Sequence, residues 1–169
     1  KENPGVLPQP QQVTALIADS RTFVASHALA IKSPQTYFAS LDSLLATLNA
    51  QGRTNFMQTL KGSYVEAVCA HVSKENEIDE GDSSILECAK EINKAGSLGK
   101  DRAIISALVE AGTKAASSTK QKLLSSALLE LPNIQPEEQR ALKAKIGKSY
   151  VTYAQTATNL SPAEVQIIL

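Results

Sequence analysis

Residues 53–95 read RTNFMQTLKGSYVEAVCAHVSKENEIDEGDSSILECAKEINKA, and this stretch decides the fold class. Phe56, Leu60, Tyr64, Val68 and Val72 recur every four residues, with Met57 and Val65 beside them. That spacing is one apolar face of a helix. Residues 74–82 are polar and acidic with one glycine and read as a loop. From Ser83 the helical pattern resumes through Ile85, Leu86, Ala89, Ile92 and Ala95. Asp82 or Ser83 supplies an N-cap, and Gly96 supplies a stop. The stretch therefore reads as a helical hairpin.

The hairpin holds the chain's only two cysteines, Cys69 and Cys88. If the helices pack antiparallel about a loop centre near Ile78, Cys69 lies nine residues before that centre and Cys88 ten after it. Equal rise along both limbs then brings the two level. This predicts a Cys69–Cys88 disulfide, against the competing reading of two buried free thiols. Such a bridge closes a loop of roughly 19 residues, on the order of 3 kcal/mol in the chain-entropy view. A disulfide implies an oxidising compartment, so a secreted protein is expected. No signal-peptide pattern opens the sequence, which would make it a mature, processed form or a cut piece of one.

Working outward, the other segments are also helical. Pro4, Pro8 and Pro10 with Gly5 predict an extended segment over 1–10, ahead of a helical domain over 11–169. A first helix starts near Pro10 or Gln11, with Val13, Leu16, Ile17, Ser20, Val24, His27, Ala28 and Ile31 as its inner stripe. Ser33-Pro34 reads as a cap and a first helical residue. The helix that follows carries Tyr37, Phe38, Leu41, Leu44, Leu45 and Leu48, and Gly52 is read as its end. Beyond the hairpin, Ile104, Ile105, Leu108, Val109 and Ala111 define one helix. Gly112 and residues 115–119 leave open whether it continues, kinks or turns. Leu123, Leu124, Ala127, Leu128 and Leu131 define another, and Pro136-Glu137-Glu138 opens the next, with Leu142, Ile146, Tyr150, Tyr153 and Ala157 as its stripe. Ser161 to Glu164 has the form of a capping box before a short apolar end. The expectation is an all-α bundle of about seven helices.

Three echoes recur in the same order. Residues 14–17 resemble 106–109, residues 44–49 resemble 128–133, and Leu60, Ser63, Tyr64 and Val65 resemble Ile146, Ser149, Tyr150 and Val151. One reading is a duplicated four-helix unit, 11–95 and 100–169, as in arrays of stacked repeats. The other is that amphipathic helices rich in Ala, Leu and Ser resemble one another by composition.

Lys plus Arg equals Asp plus Glu at 17 each, which argues against a nucleic-acid binder that relies on neutralising phosphates. No Trp, three Phe and four Tyr leave little material for stacking bases or sugars. No apolar run approaches the roughly 20 residues of a membrane span. The acidic loop fails as an EF-hand: a start at Asn76 puts Gly81 and Glu87 correctly but Ile78 at a ligand position. Gly147-Lys148-Ser149 lacks the first glycine of a P-loop and falls mid-helix. Neither His27 nor His71 has a partner at metal-ligand spacing, and no serine sits in a nucleophile elbow. No catalytic, cofactor or metal residue is therefore expected. Asn159-Leu160-Ser161 has the form of a glycosylation sequon, weakened by Pro162.

These readings point to a secreted, non-catalytic helical domain with a role in protein–protein contact, self-association or extracellular assembly. Its composition is one also found in helical domains of extracellular structural proteins, silks included. Two alternatives stand beside it: a carrier of a small apolar ligand, such as a fatty acid, between helices, and an inhibitor of a partner enzyme.

Overall fold

The computed structural model describes residues 10–47, 49–155 and 162. Among the described residues, seven α-helices follow one another: α1 Pro10–His27, α2 Pro34–Leu44, α3 Ala50–Lys74, α4 Glu80–Gly96, α5 Asp101–Lys114, α6 Ser117–Glu130 and α7 Pro136–Ala154. Short 3-10 turns follow α1, α2 and α6. Among the described residues there is no strand, so the fold is all-α, as the hairpin pattern predicts. The expected extended segment up to residue 9, the Asn159 sequon, the Ser161 to Glu164 capping box apart from Pro162, and the apolar end lie outside the described residues.

Two helices carry the others. α3 packs against α1, α2, α4 and α5, and α5 packs against α6, α7, α3 and α4. Leu60, Tyr64, Val65, Val68 and Val72 of α3 meet Leu86 and Ala89 of α4 and Ile105, Leu108 and Ala111 of α5 in one contiguous core, which extends to Leu123 and Leu124 of α6 and Ile146 and Tyr150 of α7. Burying such side chains stabilises the fold by about 1.5–3 kcal/mol for each large aliphatic residue.

Polar links set how the helices meet. Arg53 holds Asp42 through two bonds of 2.6 and 2.5 Å, tying α2 to α3. Buried Asn93 donates to Asp101 Oδ1 and accepts from Lys100 N, both at 2.9 Å, and so joins the end of α4 to the start of α5. Lys114 Nζ donates to the carbonyls of Val72 and Ser73 at 3.1 Å, satisfying the last turn of α3.

Several boundaries differ from those read along the chain. Gly52 does not end α2. It is in the first turn of α3, where its N–H donates to Asn49 Oδ1 at 2.7 Å. Ser33 makes no side-chain cap, although Pro34 is the first residue of α2. α4 is capped by Asp79, three residues earlier than expected, and Asp82 completes a capping box with it. Gly96 ends α4, but the left-handed residue is Ser97, with φ 48°, followed by Gly99 at φ 68°. Gly112 continues α5, and the chain breaks at Ala115 and Ala116 instead. There Ala115 forms a single parallel bridge with Ile78, which is buried in the hairpin turn.

The expected disulfide is absent: Cys69 and Cys88 are unbonded thiols. The reason is register. His71 Nε2 lies 2.8 Å from Asp82 Oδ1, which centres the hairpin between Asn76 and Glu77, before Ile78. Cys88 then stands level with Val65 and beside Tyr64, whose ionisation it opposes electrostatically. An axial offset of four residues is about 6 Å. Before any lateral separation is counted, it uses up nearly all of the ~7 Å Cα limit for a bridge. An oxidising compartment, expected from that bridge, gains no support from the unbonded thiols.

Candidate functional site

The histidines come first. His27 does not line the inner side of α1, where Val24 is buried, as is Ala28 in the 3-10 turn that follows. It is exposed, its ring stacks on Phe23 at 4.3 Å, and its Nδ1 lies 2.9 Å from the Phe23 carbonyl. His71 is held between Asp82 at 2.8 Å and Glu75 at 3.3 Å. Its role there is to lock the hairpin register, because Asp82 also accepts from the Asp79 N–H. The acidic turn cannot wrap an ion in EF-hand fashion, since α4 is already helical from Glu80. Asp82 faces His71, while Glu87 faces Lys90. Among the described residues, no three His, Cys, Asp or Glu side chains converge as metal ligands.

The thiols are structural in their surroundings. Burial pushes the Cys69 thiol up to about 11 from an ordinary 9.0, with the Glu66 charge adding to the effect. A thiol that stays protonated is a poor nucleophile. Tyr64 is raised to about 12, chiefly by burial, and its hydroxyl lacks a hydrogen-bond partner.

One constellation has no signature in the sequence. Lys90 Nζ donates to Ser126 Oγ at 2.9 Å across the α4–α6 contact and pairs with Glu87 Oε2 at 2.6 Å. Glu87 Oε1 and Ser83 Oγ, on the same face of α4, are buried without a partner. A serine beside a lysine resembles a nucleophile beside its base. Here the lysine is paired with the Glu87 carboxylate, and Ser126 sits in mid-helix, where neighbouring backbone N–H groups are used by the helix ladder. The preorganised donors that stabilise an oxyanion are missing from that position. Only the Glu87–Lys90 spacing was visible in the sequence. Ser126, 36 residues further on, was not.

The surface offers two further features. A groove of about 510 Å³ runs between α5 and α7, with Val109 and Leu142 at its floor and Lys120, Lys145 and Lys148 at its rim. A smaller one, about 350 Å³, runs between α1 and α2 beside Phe23, Tyr37 and Leu41. Phe23 is 53% exposed, and Leu44, one turn beyond Leu41, is 77% exposed. Leu48 of the apolar stripe read here lies outside the described residues, and of Tyr37, Phe38, Leu41, Leu44 and Leu45 only Phe38 is buried. Among the described residues, both grooves are open to solvent along their length.

Among the described residues, no helix is long and apolar enough to cross a membrane. No protein-family model, curated protein or solved structure matches this chain.

Proposed function

We propose that this protein is a non-catalytic helical contact module that associates with further copies of itself through the α1–α2 face. The observation that carries the reading is the uncovered stripe of α2 and the 3-10 turn after it. Tyr37, Leu41 and, in that turn, Leu45 are only partly buried and Leu44 is exposed, while Phe23 stands across the groove from Tyr37 and Leu41. An apolar helix face of this kind, left without a partner, marks an interaction surface. A second copy is the occupant that fits best, because formal net charge is zero and copies do not repel one another.

Sedimentation equilibrium up to millimolar protein tests this. The wild-type chain should self-associate, and Leu44→Asp with Phe23→Asp should leave it monomeric with an unchanged melting temperature, since neither side chain belongs to the core. A wild-type chain that stays monomeric throughout, or a double variant that associates as before, would overturn the proposal.

A further inference from the structure

The groove between α5 and α7 carries a second inference, which does not depend on the first. Its floor is apolar, with Val109 2% and Leu142 8% exposed. Lys145 and Lys148 project from successive turns of α7, and Lys120 approaches from the start of α6, where its Nζ donates to the Thr113 carbonyl at 3.3 Å. Among the described residues, no carboxylate lies within ion-pair distance of any of the three ammonium groups. Glu110 is the one acid on the lining. It is already engaged: Lys114 Nζ donates to its Oε1 at 2.9 Å and Ser73 Oγ to its Oε2 at 3.0 Å.

Three lysines around an apolar trough, with only Lys145 close enough to Glu110 to help hold its carboxyl below the usual range, select a particular ligand chemistry. A simple inorganic anion would leave the floor wet. A neutral hydrocarbon would gain nothing from the lysines. The long lysine stems add apolar wall while their heads stay at the rim. The volume lies within the range of small-molecule sites, about 300–1,000 Å³. We infer that the α5–α7 groove binds a small amphipathic anion, an alkyl carboxylate, with the chain along Val109 and Leu142 and the carboxylate among Lys120, Lys145 and Lys148.

Heteronuclear NMR titration of the whole chain with dodecanoate, kept below its micelle threshold, tests this directly. Amide shifts should cluster at residues 106–113 and 142–152 and saturate. Acetate and dodecanol, which carry only the head or only the tail, should each bind at least about tenfold more weakly. Lys145→Gln with Lys148→Gln should weaken dodecanoate binding by about tenfold or more, while Lys143→Gln, on the same helix but off the groove, should not. Ser106→Trp, at an exposed lining position, should block the groove for every probe. The proposal fails if dodecanoate shifts fall elsewhere or do not saturate. It also fails if dodecanol binds as tightly, or if the double lysine variant retains full affinity.

Discussion

Gly62 and Gly112 are both helical and both buried, yet a methyl group would act oppositely at the two. At Gly62 an added Cβ meets nothing within 4 Å, whereas at Gly112 it would come within 2.6 Å of Leu124 Cδ2 and 2.7 Å of its Cγ. Gly62→Ala should therefore raise stability by about 0.5–1 kcal/mol, the usual helical cost of glycine. Gly112→Ala should lower it by about 1–2 kcal/mol, because Leu124 is fully buried and overpacking outweighs the gain in propensity. Denaturant titration of both variants checks the two signs. The buried acids of this core make a second prediction. Cys69 and Tyr64 hold their protons more tightly folded than unfolded, so the native state binds more protons once the unfolded groups ionise. Stability is then fully present below pH 9 and falls as pH rises, from about 9 to 11 for Cys69 and onward to about 12 for Tyr64. Thermal melts across that window should show the loss, and Cys69→Ala should remove its earlier part.

The helix ends show how local chemistry and tertiary contact divide the work. The Asp79–Asp82 capping box starts α4, and the same Asp82 carboxylate reaches His71 on α3. Cap and register are thus fixed by one side chain. Asp79→Ala should cost about 1 kcal/mol through the lost cap, with reduced protection from hydrogen exchange at the first turn of α4 and little change in α3. The sequence placed the cap at Asp82 or Ser83, since either residue can accept from a first-turn amide. What it lacked was the bridge between Ile78 and Ala115, which holds the turn and lets α4 begin at Glu80. Gly52 was misread for a related reason. A glycine after an apolar stripe looks like a stop, but Asn49 had already opened the next helix.

At the scale of the whole molecule, α3 and α5 are covered on most sides while α2 is anchored by Phe38 and the Arg53–Asp42 pair. That imbalance leaves the α1–α2 face uncovered, and we propose it as the surface for self-association, with sedimentation of the Leu44 and Phe23 variants as its test. The α5–α7 groove lies on other helices, so losing one surface should leave the other intact. The echo between Tyr64 and Tyr150 can be set against packing. Both rings are fully buried, but Tyr150 lies 3.1 Å from Ser125 Oγ where Tyr64 lacks a partner, and Val65 is buried where Val151 is 48% exposed.

The sequence by itself determined the fold class and most helix locations. Apolar spacing of three and four residues fixes which segments form helices and which side each buries, and prolines, glycines and caps fix roughly where they stop. The tertiary structure alone decided the register between helices. A shift of the hairpin centre by less than two residues moves facing positions apart by about one turn, and so separates Cys69 from Cys88. It also decided which apolar stripes found partners, which is why Leu44 is exposed while Phe38 is buried, and it brought Lys120 to the same groove as Lys145 and Lys148. Periodicity along one helix carries no information about its neighbour, and both proposed surfaces lie between helices.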